Sequence, residues 1–290
     1  MSLQIIINGL SLGAVYALIA TGFSLVFNIL KFTNFSHGAL MILSAFCGYF
    51  IAAQSGWGFI PTVLVSVAAG AILAVLGEFI AFRRITLRET SPIYFFVSSI
   101  TLGMLLQGIV VVWAGASFHN FPRFFANPTF TVGGILLSTS DTIMFGLSVV
   151  ALVVLGYVVR STRQGRALRS VSFDRVTAGL MGINVTRTIQ FTFLVSGALA
   201  GLSGVFLGIN YTLFPTLGDM VVKGYVASVM GGLGSLHGAV IGAILLGLTE
   251  TILMRTIGVG YTPVIVFVIM LVFLLLRPQG IAGSNIQEKA

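Results

Sequence analysis

Long apolar runs separated by short polar or basic stretches dominate this chain. The runs cover residues 5–29, 37–53, 59–82, 93–113, 141–159, 189–209, 238–254 and 261–276. Each approaches the ~20 residues that cross a bilayer core as a helix. A further segment, 224–236, is short and interrupted by glycine. It is predicted as a broken or half-span element, of the kind that borders a pathway through a membrane protein. The runs lack the strict two-residue alternation and the roughly 9–11-residue length of barrel strands. The predicted fold class is therefore an all-α integral membrane protein. It is a polytopic bundle of about eight transmembrane helices plus the short segment, forming a single domain over residues 1–290. The first run is too long for a signal-peptide core, and no A-x-A-like site follows it.

Composition excludes a soluble fold. The chain is 57% hydrophobic and 8% charged, with mean hydropathy +1.07. An ordinary soluble domain carries about 25% charged residues. The net charge of +8 does not signal nucleic acid, because basic loops orient a membrane protein. Arg83, Arg84 and Arg88 follow the third run, and Arg160, Arg163, Arg166, Arg169, Arg175 and Arg187 lie between the fifth and sixth. The loop at 114–140 holds only Arg123. The arginine-rich loops, including 160–188, are thus expected in the cytoplasm together with Arg277 and the tail. The loop at 114–140 and the N-terminus are expected outside. A single cysteine, Cys47, allows no disulfide within the chain and suits a small core position.

Motifs for chemistry fail one by one. Gly9-Leu10-Ser11-Leu12-Gly13 matches G-x-S-x-G, but it lies inside an apolar run rather than at a strand-to-helix turn. Gly231-Gly232-Leu233-Gly234 is glycine-rich, yet Lys31, Lys223 and Lys289 are none of them preceded by glycine, as a phosphate loop requires. If the protein works by ATP, another chain hydrolyses it. His37, His119, His237 and Cys47 offer no metal-ligand spacing. Glu78, Asp141 and Glu250 fall near predicted helix ends and are expected at the membrane interface. No catalytic role and no cofactor in this chain is expected. Small residues recur at close spacing: Gly9 and Gly13, then Gly197, Gly201, Gly204 and Gly208, then Gly231, Gly234, Gly238 and Gly242. This spacing lets helix backbones touch and predicts packing rows. Ser36-His37-Gly38-Ala39 and Leu236-His237-Gly238-Ala239 form a faint internal echo.

The loop "RSTRQGRALRSVSFDRVTAGLMGINVTR" combines two features. Its basic residues cluster first. Residues 176–183 then read as a short amphipathic helix with Ala178, Gly179 and Gly182 small and Asp174 at its start, where a carboxylate suits the helix dipole. Charge alone would serve orientation and contact with anionic lipid. An ordered, small-residue helix beside that charge points to docking of a cytoplasmic partner.

At this loop the sequence resembles the permeases of branched-chain amino acid ABC importers. The resemblance rests on "GRALRSVSFDRVTAGLMGIN", "TFLVSGALAGLSGVFLG", "GLSLGAVYALIATGFSLVFNILKFTNFSHGA", "KGYVASVMGGLGSLHGAVIGAILLGLTE" and the ending "RPQG", in family order over nearly the whole chain. It implies a transport subunit, not an enzyme, in the inner membrane of a prokaryote. The partners it implies are a second related permease, two cytoplasmic ATPases that use ATP and Mg, and an extracytoplasmic substrate-binding protein. It further implies that the loop couples to the ATPases through Arg166, Asp174, Ala178, Gly179, Gly182 and Asn184, with Asp174 standing where the wider pattern has Glu. Where the family reads Gly-Ser-Ile-Pro-Gly, this chain has Gly234-Ser235-Leu236-His237-Gly238. Losing proline loosens that bend.

Asn34-Phe35-Ser36-His37-Gly38 resembles a family block as well. Asn34 or Ser36 is expected to cap the second helix, and His37 is expected to meet a backbone carbonyl. Asn34, Ser36, His37 and Gly38, with Lys223, Gly231, Gly232, Gly234 and His237 of the broken segment, are the candidates for gate or pathway. Two alternatives stay open. One is a related ABC permease for urea, amides or another small polar solute. The other is an ion-coupled secondary transporter that would need Glu78 or Glu250 as a buried acid.

Overall fold

The computed structural model describes residues 3–88, 91–125, 129–132, 135–277 and 279–282. Lys289, Pro278, the tail beyond Ala282 and parts of the predicted outer loop lie outside the described residues. The helices are α1 (Leu3–Leu30), α2 (His37–Ser55), α3 (Phe59–Gly77), α4 (Arg83–Leu87), α5 (Pro92–Ala114), α6 (Thr139–Ser161), α7 (Arg163–Phe173), α8 (Arg175–Leu180), α9 (Val185–Tyr211), α10 (Val221–Gly231), α11 (Leu236–Thr256) and α12 (Thr262–Leu276). Among the described residues, seven spans are long and apolar enough to cross a membrane, and α12 is a shorter apolar helix. The chain is a multi-pass membrane protein.

Five details depart from the sequence reading. A π-helical turn, Glu78–Phe82, joins α3 to α4, so the third span runs unbroken over Phe59–Leu87. The 114–140 loop contains a small antiparallel hairpin of β1 (Thr129–Val132) and β2 (Ile135–Ser138), with Thr129 opposite Ser138. The basic start of the 160–188 loop is itself helical, as α7. The predicted short helix ends at Leu180 rather than 183. The short segment is α10, preceded by a 3-10 turn at Pro215–Met220. Its 11 residues reach only about 16 Å at 1.5 Å per residue, half a bilayer.

The chain forms two compact units. The first comprises Met1–Ser24, Phe125–Val150 and Val222–Ala290, and the second Leu25–Phe124 and Ala151–Val221. In the second unit, α2, α3 and α9 pack through small residues. A methyl at Gly70 or Gly197 would strike the other's carbonyl oxygen, and one at Gly201 would strike the carbonyl of Ser66. Phe32, Phe82, Phe95 and Phe193 fill the space toward the arginine-rich end, with Phe32 and Phe95 stacked at 4.8 Å. In the first unit, Gly13 of α1 lies against Ile244 of α11, whose Cα would be 2.9 Å from an added methyl. Gly242 sits against the carbonyl of Ala227, and Gly231 against that of Gly238. With almost no hydrophobic drive between helices in lipid, such backbone contact is what holds them together.

A candidate coupling element, a polar junction and a buried ion pair

The arginine-rich element is built from successive caps. Thr162 starts α7 by accepting from the N–H of Gly165 (3.0 Å). Asp174 ends α7 in extended backbone and caps α8, its Oδ1 accepting from Val176 N (2.9 Å) and Thr177 N (3.2 Å). The Thr177 hydroxyl donates to Oδ2 at 2.5 Å. That bond and the backbone N–H bonds hold the Asp174 carboxyl below the usual carboxylate range. Asn184 starts α9 by accepting from Arg187 N (3.0 Å). Capping residues satisfy helix N–H groups that otherwise have no partner, so the chain can change direction sharply three times. The last turn needs Gly182. Its φ of 82° lies in the left-handed region, and the N–H of Ile183 closes onto the Ala178 carbonyl (3.0 Å).

This element is tied to α1. Arg175 donates from Nε (3.1 Å) and Nη2 (2.5 Å) to the carbonyl of Ile29, a terminal carbonyl that has no partner within its own helix. Lys31 follows at φ 57°. Burial, and then the neighbouring Arg175, push its pKa down. A groove of about 620 Å³ here is lined by Lys31, Thr86, Pro92, Phe173, Asp174 and Arg175, among others. The two basic loops flanking α4 and α7 therefore share one end of the second unit, as the loop charges required.

Among its exposed arginines the element also presents large apolar side chains. Phe173 is 95% exposed, Leu180 83% and Met181 79%, none of them within a membrane span. Phe173, Ala178, Met181 and Ile183 line a shallow cleft of about 540 Å³. Of the residues carried over by resemblance, Ala178 is buried at 4% and anchors α8. Gly179 and Arg166 face outward, and Arg166 donates to the Ser161 carbonyl (3.3 Å).

The 34–38 junction lies in the same unit and differs from expectation. Ser36 occupies the N-cap position of α2 but makes no side-chain cap bond. Instead Asn34 Oδ1 accepts from Ser36 N (3.2 Å) and Ser36 Oγ (2.7 Å), which stabilises the turn ahead of the helix. His37 is 1% exposed, and its Nε2 has no hydrogen-bond partner, contrary to the expected carbonyl. Gly38 and Gly218 touch backbone to backbone.

The remaining candidates belong to the first unit. Gly232 (φ 107°) and Gly234 (φ 83°) make the bend, and Ser235 Oγ accepts from Gly238 N (3.2 Å) to start α11. His237 is exposed in the first turn of α11, a place where proline is tolerated but not required. The bend stands on its glycines and its serine cap. Lys223, in the first turn of α10, points inward. Its Nζ forms an ion pair with Glu250 and donates to Tyr16 Oη (3.1 Å), and Tyr16 donates to Glu250 Oε2 (2.9 Å). Glu250 is 1% exposed and Tyr16 is fully buried.

The interface expectation for two acids is thus corrected. Glu250 stands six residues before the end of α11, about 9 Å along the axis, where Lys223 compensates its charge. Glu78 is 1% exposed within the π turn, where Gln190 hydrogen-bonds its carboxyl. The predicted helix ends had placed both acids nearer the ends of their spans than the structure does, where the third span runs on to Leu87 and α11 to Thr256. Asp141 does lie in the first turn of α6, partly exposed. Sequence reasoning missed Tyr16 altogether. Its only signal is a phenol in the middle of an apolar run.

Residues 5–275 match the family described as "Branched-chain amino acid transport system / permease component". LivH of Escherichia coli K12, a high-affinity branched-chain amino acid transport system permease protein, is 31% identical over 99% of this chain and 97% of its own. BraD of Pseudomonas aeruginosa, of the same description, is 29% identical over the same shares. Among solved structures, PsaBC from Streptococcus pneumoniae in complex with Fab aligns over 96% of this chain and 94% of that one. At 15% identity and a TM-score of 0.53, that likeness concerns the fold alone. A nearly full-length match of this kind, on a chain with these spans and this capped loop, leaves one conclusion: the chain belongs to the permease components of branched-chain amino acid transport systems.

Proposed function

We propose that this chain is one of two related permease subunits of an ATP-driven importer in the cytoplasmic membrane of a prokaryote. It carries a branched-chain or similar hydrophobic amino acid inward. Two cytoplasmic ATPase subunits, using ATP and Mg, dock on the α7–α8 element, and an extracytoplasmic binding protein delivers the substrate to the opposite face. This chain contributes no cofactor. The observation that carries the reading is the exposed apolar surface of Phe173, Leu180 and Met181 on an element pinned to α1 through Arg175. Large apolar side chains in water mark a protein interface. A rigid tie to a membrane helix lets movement of that interface reach the pathway, provided the partner binds the two states with different affinity.

The test is purification from the native membrane in mild detergent, followed by reconstitution in liposomes with the loaded binding protein. Two ATPases and a second permease should co-purify, and uptake of leucine, isoleucine or valine should require ATP inside. Uptake of urea or an amide in preference to leucine would redirect the substrate assignment. Uptake driven by an ion gradient without ATP would overturn the reading.

A further inference from the structure

We propose that Tyr16, Lys223 and Glu250 form a way-point for the charged ends of the substrate: Lys223 takes its carboxylate, and Glu250, with Tyr16, takes its ammonium. The proposal rests on the reading of the chain as an amino acid importer subunit.

Three observations carry it. First, Glu250 lies within the membrane-spanning helix α11, with Lys223 brought to it from the short α10, and ionisable groups within a span are costly and are found facing a pathway or a partner. If only helix packing were needed, an apolar pair of similar volume would serve as well or better. Elsewhere in the same unit α1 meets α11 closely at Gly9 and Gly13, against Leu248 and Ile244, without charge. Second, exposure is uneven. Glu250 and Tyr16 are sealed, whereas the Lys223 side chain is 14% exposed, so the ammonium is the reachable member. Third, Lys223 sits on α10, the half-span element, while its partners sit on the full-length helices α1 and α11. Half-span elements are where membrane transporters hold their substrates.

The chemistry is an exchange that leaves no charge uncompensated. At rest Lys223 pairs with Glu250, and its Nζ lies 5.5 Å from the centre of the Tyr16 ring. An arriving zwitterion offers its carboxylate to Lys223 while its ammonium moves into the place Lys223 leaves at Glu250, within reach of the Tyr16 oxygen. No proton is transferred and no bond is broken. A solute without charge offers neither group, and separating the pair for it would strand two buried charges. The triad therefore selects for a solute that carries both charges.

The experiment uses the complete importer in liposomes with its binding protein. Leucine uptake and ATP hydrolysis are measured for Glu250→Gln, Lys223→Gln, Lys223→Arg and Tyr16→Phe. Glu250→Gln and Lys223→Gln should lower uptake at least about tenfold, as loss of one charge-assisted contact to the zwitterion predicts, while the loaded binding protein still stimulates hydrolysis. Lys223→Arg should restore most uptake, and Tyr16→Phe should raise KM more than it lowers kcat. Wild-type uptake, or uptake and hydrolysis falling in proportion, would overturn the proposal. So would hydrolysis that rises without the binding protein, because the pair would then be a structural latch. If the charge variants fail to assemble, Tyr16→Phe decides by the same criteria. A wild-type importer that hydrolyses ATP without moving leucine would refute the functional reading itself, independently of the variants.

Discussion

Arg175 reaches 146 positions back along the chain to close its guanidinium on the carbonyl of Ile29. One side chain thereby caps the end of α1 and fixes α8, the helix with the exposed apolar face, to that end. Replacing it should separate two processes that are otherwise coupled. Arg175→Ala removes a charge-assisted bond of about 1.5–3 kcal/mol. The expected outcome is continued ATPase binding and hydrolysis with reduced uptake. Arg175→Lys, which lacks the two-pronged geometry, should fall between. The ratio of solute moved to ATP consumed checks this.

Phe173, Leu180 and Met181 should matter for assembly rather than folding. Changing Phe173 or Leu180 to Ser removes apolar surface that already faces water, so the thermal midpoint of the isolated permease should hold. Capture of the ATPases should weaken at least tenfold if these side chains are interface anchors, each worth about 2 kcal/mol or more. Co-purification yield against detergent-stable permease yield measures both at once.

Asp174 gives α8 a pH dependence with a definite sign. Its carboxyl is held below the ordinary value, first by the Thr177 hydroxyl and then by backbone N–H groups. A depressed value in the folded state means the cap's contribution is present above the unfolded value of about 4 and lost as pH falls through the folded one. The protection of the Val176 and Thr177 amides, measured against their intrinsic exchange rate at each pH, should therefore fall on acidification. Asp174→Asn, which still accepts from those amides, should show little of this dependence, and Asp174→Ala should be weakly protected at every pH.

His37 carries an imidazole nitrogen without a partner in a fully buried site. Replacing an unsatisfied buried polar group by an apolar one of similar size is neutral or stabilising. His37→Leu should accordingly leave the thermal midpoint equal or higher. Lost uptake in that stable variant would assign the ring to the gate, whereas a lowered midpoint would show that it serves the α2 junction.

Gly197 should tolerate no side chain. An added methyl meets the carbonyl of Gly70 and the Cβ of Ala74, and neither backbone can retreat without moving a whole helix. Gly197→Leu should destabilise by about 1–3 kcal/mol or more, read as a lowered midpoint. Gly179→Ala meets nothing nearer than 3.9 Å and should be silent for stability.

How much of this was legible in the chain follows from the range of the physics involved. Span positions, the half-length of α10, the arginine-rich end and the cap at Asp174 depend on residues within a few turns of one another. Local hydropathy, charge and capping chemistry therefore specified them. The tie of Arg175 to Ile29 and the triad of Tyr16, Lys223 and Glu250 depend on backbones meeting over 146, 207 and 234 positions. Small-residue rows announce that helices will touch, but not which ones, nor in what register. That register buried Glu250 beside Lys223 and left His37 Nε2 without an acceptor. The tertiary structure alone decided both, because in a bilayer the choice of neighbours rests on close backbone packing rather than on any property of a single segment.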